Sequence, residues 1–192
     1  MGNGTRPAAR SLHIVCIVDE SPLTDGVVAL RPWRREDAPA IVECLNGDPA
    51  ITIWLDQIPQ PYSLPDALAY IGGLGEQAFA VTDAEDGSLL GSIGVTWNER
   101  RDVGEIGYWA RRDVRGRGLM TRALVLVSRV ALRNEGAARV QLRADVENTA
   151  SRRVAEKAGF TFEGVLRAAH WNDRLGRRQD WAMYSLLPGE LP

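Results

Sequence analysis

The chain of 192 residues predicts a mixed α/β domain: a mainly antiparallel, twisted sheet of six to seven strands with about four helices. Three observations carry this expectation. Three β-rich runs follow one another between residues 78 and 110, with turn-forming residues between them. A long amphipathic helix pattern then begins at Leu119 and is followed by another strand, which makes one crossover between neighbouring parallel strands. Two long runs near the C-terminal end flank the tight turn Arg174-Leu175-Gly176-Arg177, as an antiparallel pair would.

Taken in order, residues 1–26 read as an N-terminal extension and 27–188 as the domain. The short apolar run Leu12 to Val18 holds a histidine and lacks a small-residue cleavage site, so it reads as an early strand or loose extension, not a secretion signal. Val27 to Trp33 predicts a strand, and Glu36 to Leu45 a helix with Ala40, Ile41, Cys44 and Leu45 on one face. Ile51 to Leu55 fits helix and strand alike. Ser63-Leu64-Pro65-Asp66 carries a capping serine, an early proline and an acid three places on, which starts a helix running to about Ile71. Ala78–Thr82, Leu89–Trp97 and Val103–Ala110 predict strands, the first two joined through Asp86-Gly87. From Leu119 the apolar positions Met120, Ala123, Leu124, Val127, Val130 and Ala131 recur at three- and four-residue spacing until Gly136. Arg139 to Val146 predicts a strand, and Asn148 to Ala158 a helix with an asparagine cap and a Gly159 stop. Phe160–Trp171 and Gln179–Leu187 complete the sheet.

Hydrophobic residues make up 45% and charged residues 25%, the balance of a soluble globular protein. A net charge of -2 argues against a dedicated nucleic-acid binder, and no segment reaches membrane-spanning length. Two cysteines are too few for a disulfide framework and no Cys/His spacing suggests a metal, so the expected compartment is the cytoplasm and no metal is expected. Lys157 is the only lysine, which leaves almost no candidate for Schiff-base chemistry.

The chemistry concentrates at Arg115-Gly116-Arg117-Gly118-Leu119-Met120. Two glycines allow close approach of backbone to a ligand, and the helix that follows offers unpaired N–H groups and a partial positive charge. Arg111, Arg112, Arg115, Arg117 and Arg122 bracket the turn. The ligand implied is anionic and phosphate-bearing. No Gly-Lys-Ser/Thr follows, which excludes the Walker loop, and the third glycine of a dinucleotide fingerprint is missing.

On these residues the chain resembles the GNAT superfamily of acyl-CoA-dependent N-acetyltransferases. Arg115-x-x-Gly118 with Gly116 between matches the superfamily's loop, departing at Met120, where a smaller residue is usual. Asn148-x-x-Ser151 through Ala158-Gly159-Phe160 is similar to its later helix. Leu30-Arg31-Pro32-Trp33, Glu163-Gly164-Val165-Leu166-Arg167 and the ending Arg178 to Leu186 resemble the branch containing ribosomal-protein N-terminal acetyltransferases. The resemblance implies a GNAT fold, acetyl-CoA as acyl donor, and direct transfer to a primary amine, either a protein N-terminus or a small molecule. It implies that Tyr108, Trp109, Arg115, Gly116, Arg117, Gly118, Leu119, Met120, Thr121, Asn148 and Ser151 border the donor, with amides from Arg117 to Thr121 on its diphosphate. A non-catalytic CoA-binding sensor is the alternative, and a homodimer stays open.

Transfer to an amine needs a base for its proton and a donor for the departing thiolate. The superfamily often supplies a tyrosine four residues before the helix-ending glycine, and Ala155 stands there. The ribosomal branch implicates a serine earlier in that helix, which is Ser151. Two residues compete for the base: Glu105, on the strand leading to the loop, and His170, where the branch carries a glutamate. Trp33, Trp97, Trp109 and Trp181 read as core, and the resemblance implies that Trp54 and Trp171 wall the acceptor site. Asp48, Asp56, Asp66 and Glu76 could make an acceptor cleft acidic.

Overall fold

The computed structural model describes residues 22–74 and 78–191. Glu76 and the run Leu12 to Val18 lie outside the described residues. The sheet has eight strands in the order β1-β2-β3-β4-β5-β6-β8-β7. In chain order they are β1 (Leu23–Thr24), β2 (Val28–Pro32), β3 (Ala78–Asp83), β4 (Leu89–Trp97), β5 (Val103–Ala110), β6 (Arg139–Asp145), β7 (Thr161–Asn172) and β8 (Arg177–Leu186). The helices are α1 (Ala38–Asn46), α2 (Pro49–Trp54), α3 (Leu64–Leu74), α4 (Leu119–Arg129) and α5 (Thr149–Lys157).

Two elements exceed the expectation. Residues Leu23 and Thr24 add a two-residue strand to the edge of β2, where the Asp25 carboxylate accepts from the Val27 and Val28 amides and fixes the turn. Ile51 to Leu55, ambiguous in the sequence, resolves as helix α2. Its start is set by Pro49 and by Asp48, whose side chain accepts from the Ala50 amide at 3.1 Å. The Ser63/Asp66 capping pair starts α3 as its residue types predict. The helix after the glycine turn runs on past Arg129 as one wider π turn, Val130–Asn134, before Gly136 at φ 71°.

Both faces of the sheet are covered. Side chains alternate along each strand, so Phe79 and Val81 pack with the α4 face while Ala80 packs under α1 and α3. The larger core gathers Leu124, Val127, Ile93, Leu142 and Tyr184. The smaller gathers Ile41, Leu45, Tyr62, Ala67 and Trp109.

One feature of the register places the site. β5 and β6 are the parallel pair, linked by the α4 crossover, and they pair only at Val103–Arg139, Gly104–Val140 and Glu105–Gln141. Beyond that point each strand continues without the other: β5 stays paired to β4 as far as Ala110, and β6 to β8 as far as Asp145. The sheet therefore splits between β5 and β6, and the edges facing the split carry backbone groups with no ladder partner.

Candidate active site

A cleft of about 680 Å³ occupies this split. Of the expected site residues, Glu105, Tyr108, Trp109, Arg115, Gly116, Gly118, Leu119, Met120, Thr121, Asn148, Ser151 and His170 line it, and Arg117 does not. Strand alternation sorts the lining side chains. Leu142 and Ala144 of β6 belong to the α4 core, which puts Arg143 and Asp145 on the opposite face, and Tyr108 and Glu105 divide in the same way on β5. One side of the cleft thus faces α4 and α5, and the other faces α2.

On the α4 side, the glycine turn is built for a ligand. Gly116 and Gly118 both hold φ 78°, a backbone conformation that other residues adopt only with strain, and a Cβ on either would meet no protein atom within 4 Å. Gly118 is the N-cap of α4, and the first internal bond of the helix runs from the Arg122 amide to the Gly118 carbonyl at 3.2 Å. The amides of Leu119, Met120 and Thr121 precede that bond and have no helical partner. Leu119 and Met120 turn their side chains into the core, so the larger Met120 is accommodated away from the turn.

Arg115 contributes differently from a phosphate clamp. Its guanidinium donates to the Ala110 carbonyl and to the buried Asp48 carboxylate, tying the turn to the end of β5 and the start of α2. Arg111 is likewise engaged by Asp113, and Arg122 by Asp25. Arg112, Arg153 and Lys157 are exposed, with no side-chain hydrogen bond or ion pair among the described residues, and exposed Arg117 acts on the Asp113 carboxylate through its charge; Arg153 and Lys157, on α5, also line the cleft. The fit to a phosphate-bearing donor therefore rests on the turn's amides, with exposed cations nearby.

Asn148 caps α5, its Oδ1 accepting from the Ser151 amide at 3.1 Å. The Ser151 hydroxyl does not turn back to its own helix. It meets the Tyr108 hydroxyl at 2.8 Å, and the Tyr108 hydroxyl also lies 3.2 Å from the Ser151 carbonyl, to which it can donate. Burial pushes the Tyr108 phenol up to about 12, only partly offset by the bond to Ser151. The phenol is a proton donor throughout the neutral range. Ser151 and Ala155 are one turn apart on α5, so Tyr108 brings a phenol from β5 to the helix face where Ala155 has none.

The α2 side holds the two base candidates in different company. Glu105 accepts from Gln141 Nε2 at 3.2 Å and from the Arg143 guanidinium in an ion pair. Arg143 also lies over the Trp181 ring, 4.4 Å from its centroid. His170 stacks with Trp181 at 5.0 Å and 20°, and its Nε2 stands 3.1 Å from both oxygens of Asp56. Trp181, expected in the core, is instead a cleft wall between Arg143 and His170. Trp54 lines the cleft, whereas Trp171 is half-exposed, bonded to Asp173, and lies outside the lining. Of the acidic residues, Asp56 lines the cleft, while Asp48 and Asp66 serve as helix-start ligands.

A bulge aims His170. Leu166 pairs with Trp181 and His170 with Gln179, so β7 carries two more residues than β8 between these pairs. Ala168 in the bulge has φ 51°, and Asp180 and Arg178 clasp its amide and carbonyl at 2.7 and 3.0 Å. Two buried polar atoms of cleft-lining residues, Asp145 Oδ2 and Gln179 Nε2, have no hydrogen-bond partner among the described residues. Among those residues there is no cluster of His, Cys, Asp and Glu that could hold a metal, and no helix long and apolar enough to cross a membrane.

Residues 28–161 match the family model described as an acetyltransferase (GNAT) domain. A Bacillus subtilis (strain 168) protein named "Putative ribosomal N-acetyltransferase YdaF" is 35% identical over 106 residues, which is 55% of this chain and 57% of that protein. The match thus spans little more than half the length of that relative. Among solved structures, a GNAT-family acetyltransferase from Bacillus anthracis superposes with a TM-score of 0.79 at 19% identity, covering 87% of this chain and 98% of that one. Mycobacterium smegmatis RimJ in complex with CoA-disulfide gives 0.74 at 25% identity, over 87% of this chain and 85% of that one.

Proposed function

The chain belongs to the GNAT acetyltransferase family, and on that premise we propose that it moves an acetyl group from acetyl-CoA directly to a primary amine, with a protein N-terminal α-amine as the acceptor. The observation that carries this reading is the split between β5 and β6, with a proton donor on one side and a proton acceptor on the other. Acetyl-CoA supplies an acyl group already activated as a thioester, so no covalent bond to the protein is needed. The amides of Leu119, Met120 and Thr121 bind its diphosphate, and Asn148 and Ser151 border its arm.

At neutral pH an α-amine with a value of about 8 is mostly protonated and unreactive. His170 takes the proton on the α2 side. Glu105 is less suited, because its carboxylate already neutralises Arg143 and accepts from Gln141. On the α5 side, Ser151 Oγ hands a proton to the departing sulfur while the Tyr108 hydroxyl, which burial keeps protonated, donates a hydrogen bond to it; the second proton shed by the acylated nitrogen returns to Ser151 through solvent in the cleft, so that thiol, amide and one proton leave. The name of the Bacillus subtilis relative, a putative ribosomal N-acetyltransferase, supports a protein acceptor.

The test is release of free thiol from acetyl-CoA across a panel of amines, from N-terminal peptides to aminoglycosides. Peptide-dependent release supports the reading; CoA binding without acceptor-dependent release of thiol from any amine contradicts it.

A further inference from the structure

Resting on the assignment of His170 as base, we propose that Asp56 is its positioning residue, fixing one imidazole tautomer so that Nδ1 is the atom that accepts the proton. A carboxylate only accepts hydrogen bonds, so Nε2, at 3.1 Å from both Asp56 oxygens, carries the ring hydrogen. The lone pair is then on Nδ1. Asp56 is suited to this role by its own support. Its side chain is 6% exposed, and the Asp173 amide donates to its Oδ2 at 3.1 Å, so the carboxylate is held while the ring leans on it.

The ring has little freedom left. Trp181 covers one face at 5.0 Å, and the bulge at Ala168 sets the strand position from which His170 departs. The charged groups around it are Asp56 beyond the end of α2, Arg143 across the Trp181 ring from β6, and Asp173 in the β7–β8 turn. Asp180 and Arg178 are engaged by the Ala168 backbone. When Nδ1 takes a proton from the acceptor ammonium, both ring nitrogens are protonated and the new charge sits against Asp56. No bond to carbon forms or breaks in this step, and with one third of the His170 side chain exposed the proton passes on to solvent. The contact joins residues 114 apart in sequence, from a loop and a bulged strand, so neither element announces it.

The test combines nitrogen-15 NMR of the imidazole with kinetics, on the full chain. In the wild type the neutral His170 ring, assigned by its loss in His170→Gln, shows a protonated Nε2 and an unprotonated Nδ1. In Asp56→Asn that preference is lost, because an amide can accept from Nε2 or donate to it. Turnover falls about tenfold or more, while KM for acetyl-CoA stays unchanged. Asp56→Asn with the wild-type tautomer and full turnover, beside an impaired His170→Gln, overturns this inference and leaves the base assignment standing. Full turnover in His170→Gln overturns both.

Discussion

The Tyr108 and Ser151 hydroxyls stand 2.8 Å apart, one carried by the strand that borders the split and the other by the helix across it. The pair joins two elements that the sequence separates by 43 residues. It sets the half-buried phenol against a second hydroxyl that lines the cleft. Removing that hydroxyl in Tyr108→Phe keeps the ring and its packing, so folding and CoA affinity should hold. Turnover should fall by about 10- to 100-fold, and Ser151→Ala should fall at least as far. Steady-state kinetics with KM and kcat separated reads this directly; a loss confined to KM would remove the relay.

The Arg115–Asp48 ion pair leads to a second expectation. Asp48 both caps α2 and receives the guanidinium that closes the glycine turn. Asp48→Ala should lower stability by about 1–2 kcal/mol, or about 2–8 °C in Tm, and should weaken CoA binding although Asp48 is not among the cleft-lining residues. Asp48→Asn keeps the cap and loses the charge, so it should fall between the two. Thermal melts with and without CoA check both.

Gly118 offers a sharper contrast. At φ 78° an alanine costs about 1–2 kcal/mol or forces the turn to change, and either outcome disturbs the amides of α4's first turn. Gly118→Ala should raise the Kd for CoA about tenfold or more. Gly72→Ala, in the last turn of α3 with open space around its Cα, should add about 0.5 kcal/mol of stability and leave the Kd alone. Calorimetric titration of the two variants tests the claim that conformation at 118, and not glycine content, matters.

Acid sensitivity has an identifiable contributor at Asp37. Burial pushes its carboxyl up, but hydrogen bonds from the Arg31 side chain and the Arg34 amide, with the charges of both arginines, hold it below the ordinary value. A depressed carboxylate stabilises the folded state above its unfolded value of about 3.9, and that contribution is lost as pH falls through the folded value. The stability difference between wild type and Asp37→Asn should therefore be full at pH 7 and shrink below about pH 4. Melts from pH 7 to 3 measure it; a difference that grows on acidification would contradict the sign.

How much of this was readable beforehand divides along physical lines. Periodicity and caps fixed the seven longer strands and four of the helices, because each signal lies within a few residues: Ser63 with Asp66, Asn148 with Ser151, Asp86 with Gly87. Helix α2 escaped because six residues are too few to show a period, although Asp48-Pro49 carries a start signal. The glycine turn was legible as chemistry, since glycine and helix start are local. The role of Arg115 was not, because its partner Asp48 is 67 residues away. Trp181 read as core from its strand pattern, yet it faces a gap that exists only because β5 and β6 stop pairing after Glu105–Gln141. Similarly, the Ala168 bulge that aims His170 leaves no trace in composition, since alanine is an unusual choice at positive φ.

The central claim is tested most directly by a crystal structure of the chain bound to CoA. The account predicts the diphosphate within hydrogen-bond distance of the Leu119, Met120 and Thr121 amides, and the sulfur in the β5–β6 split beside Ser151 Oγ. A diphosphate held away from those amides, or a sulfur outside the split, would contradict it.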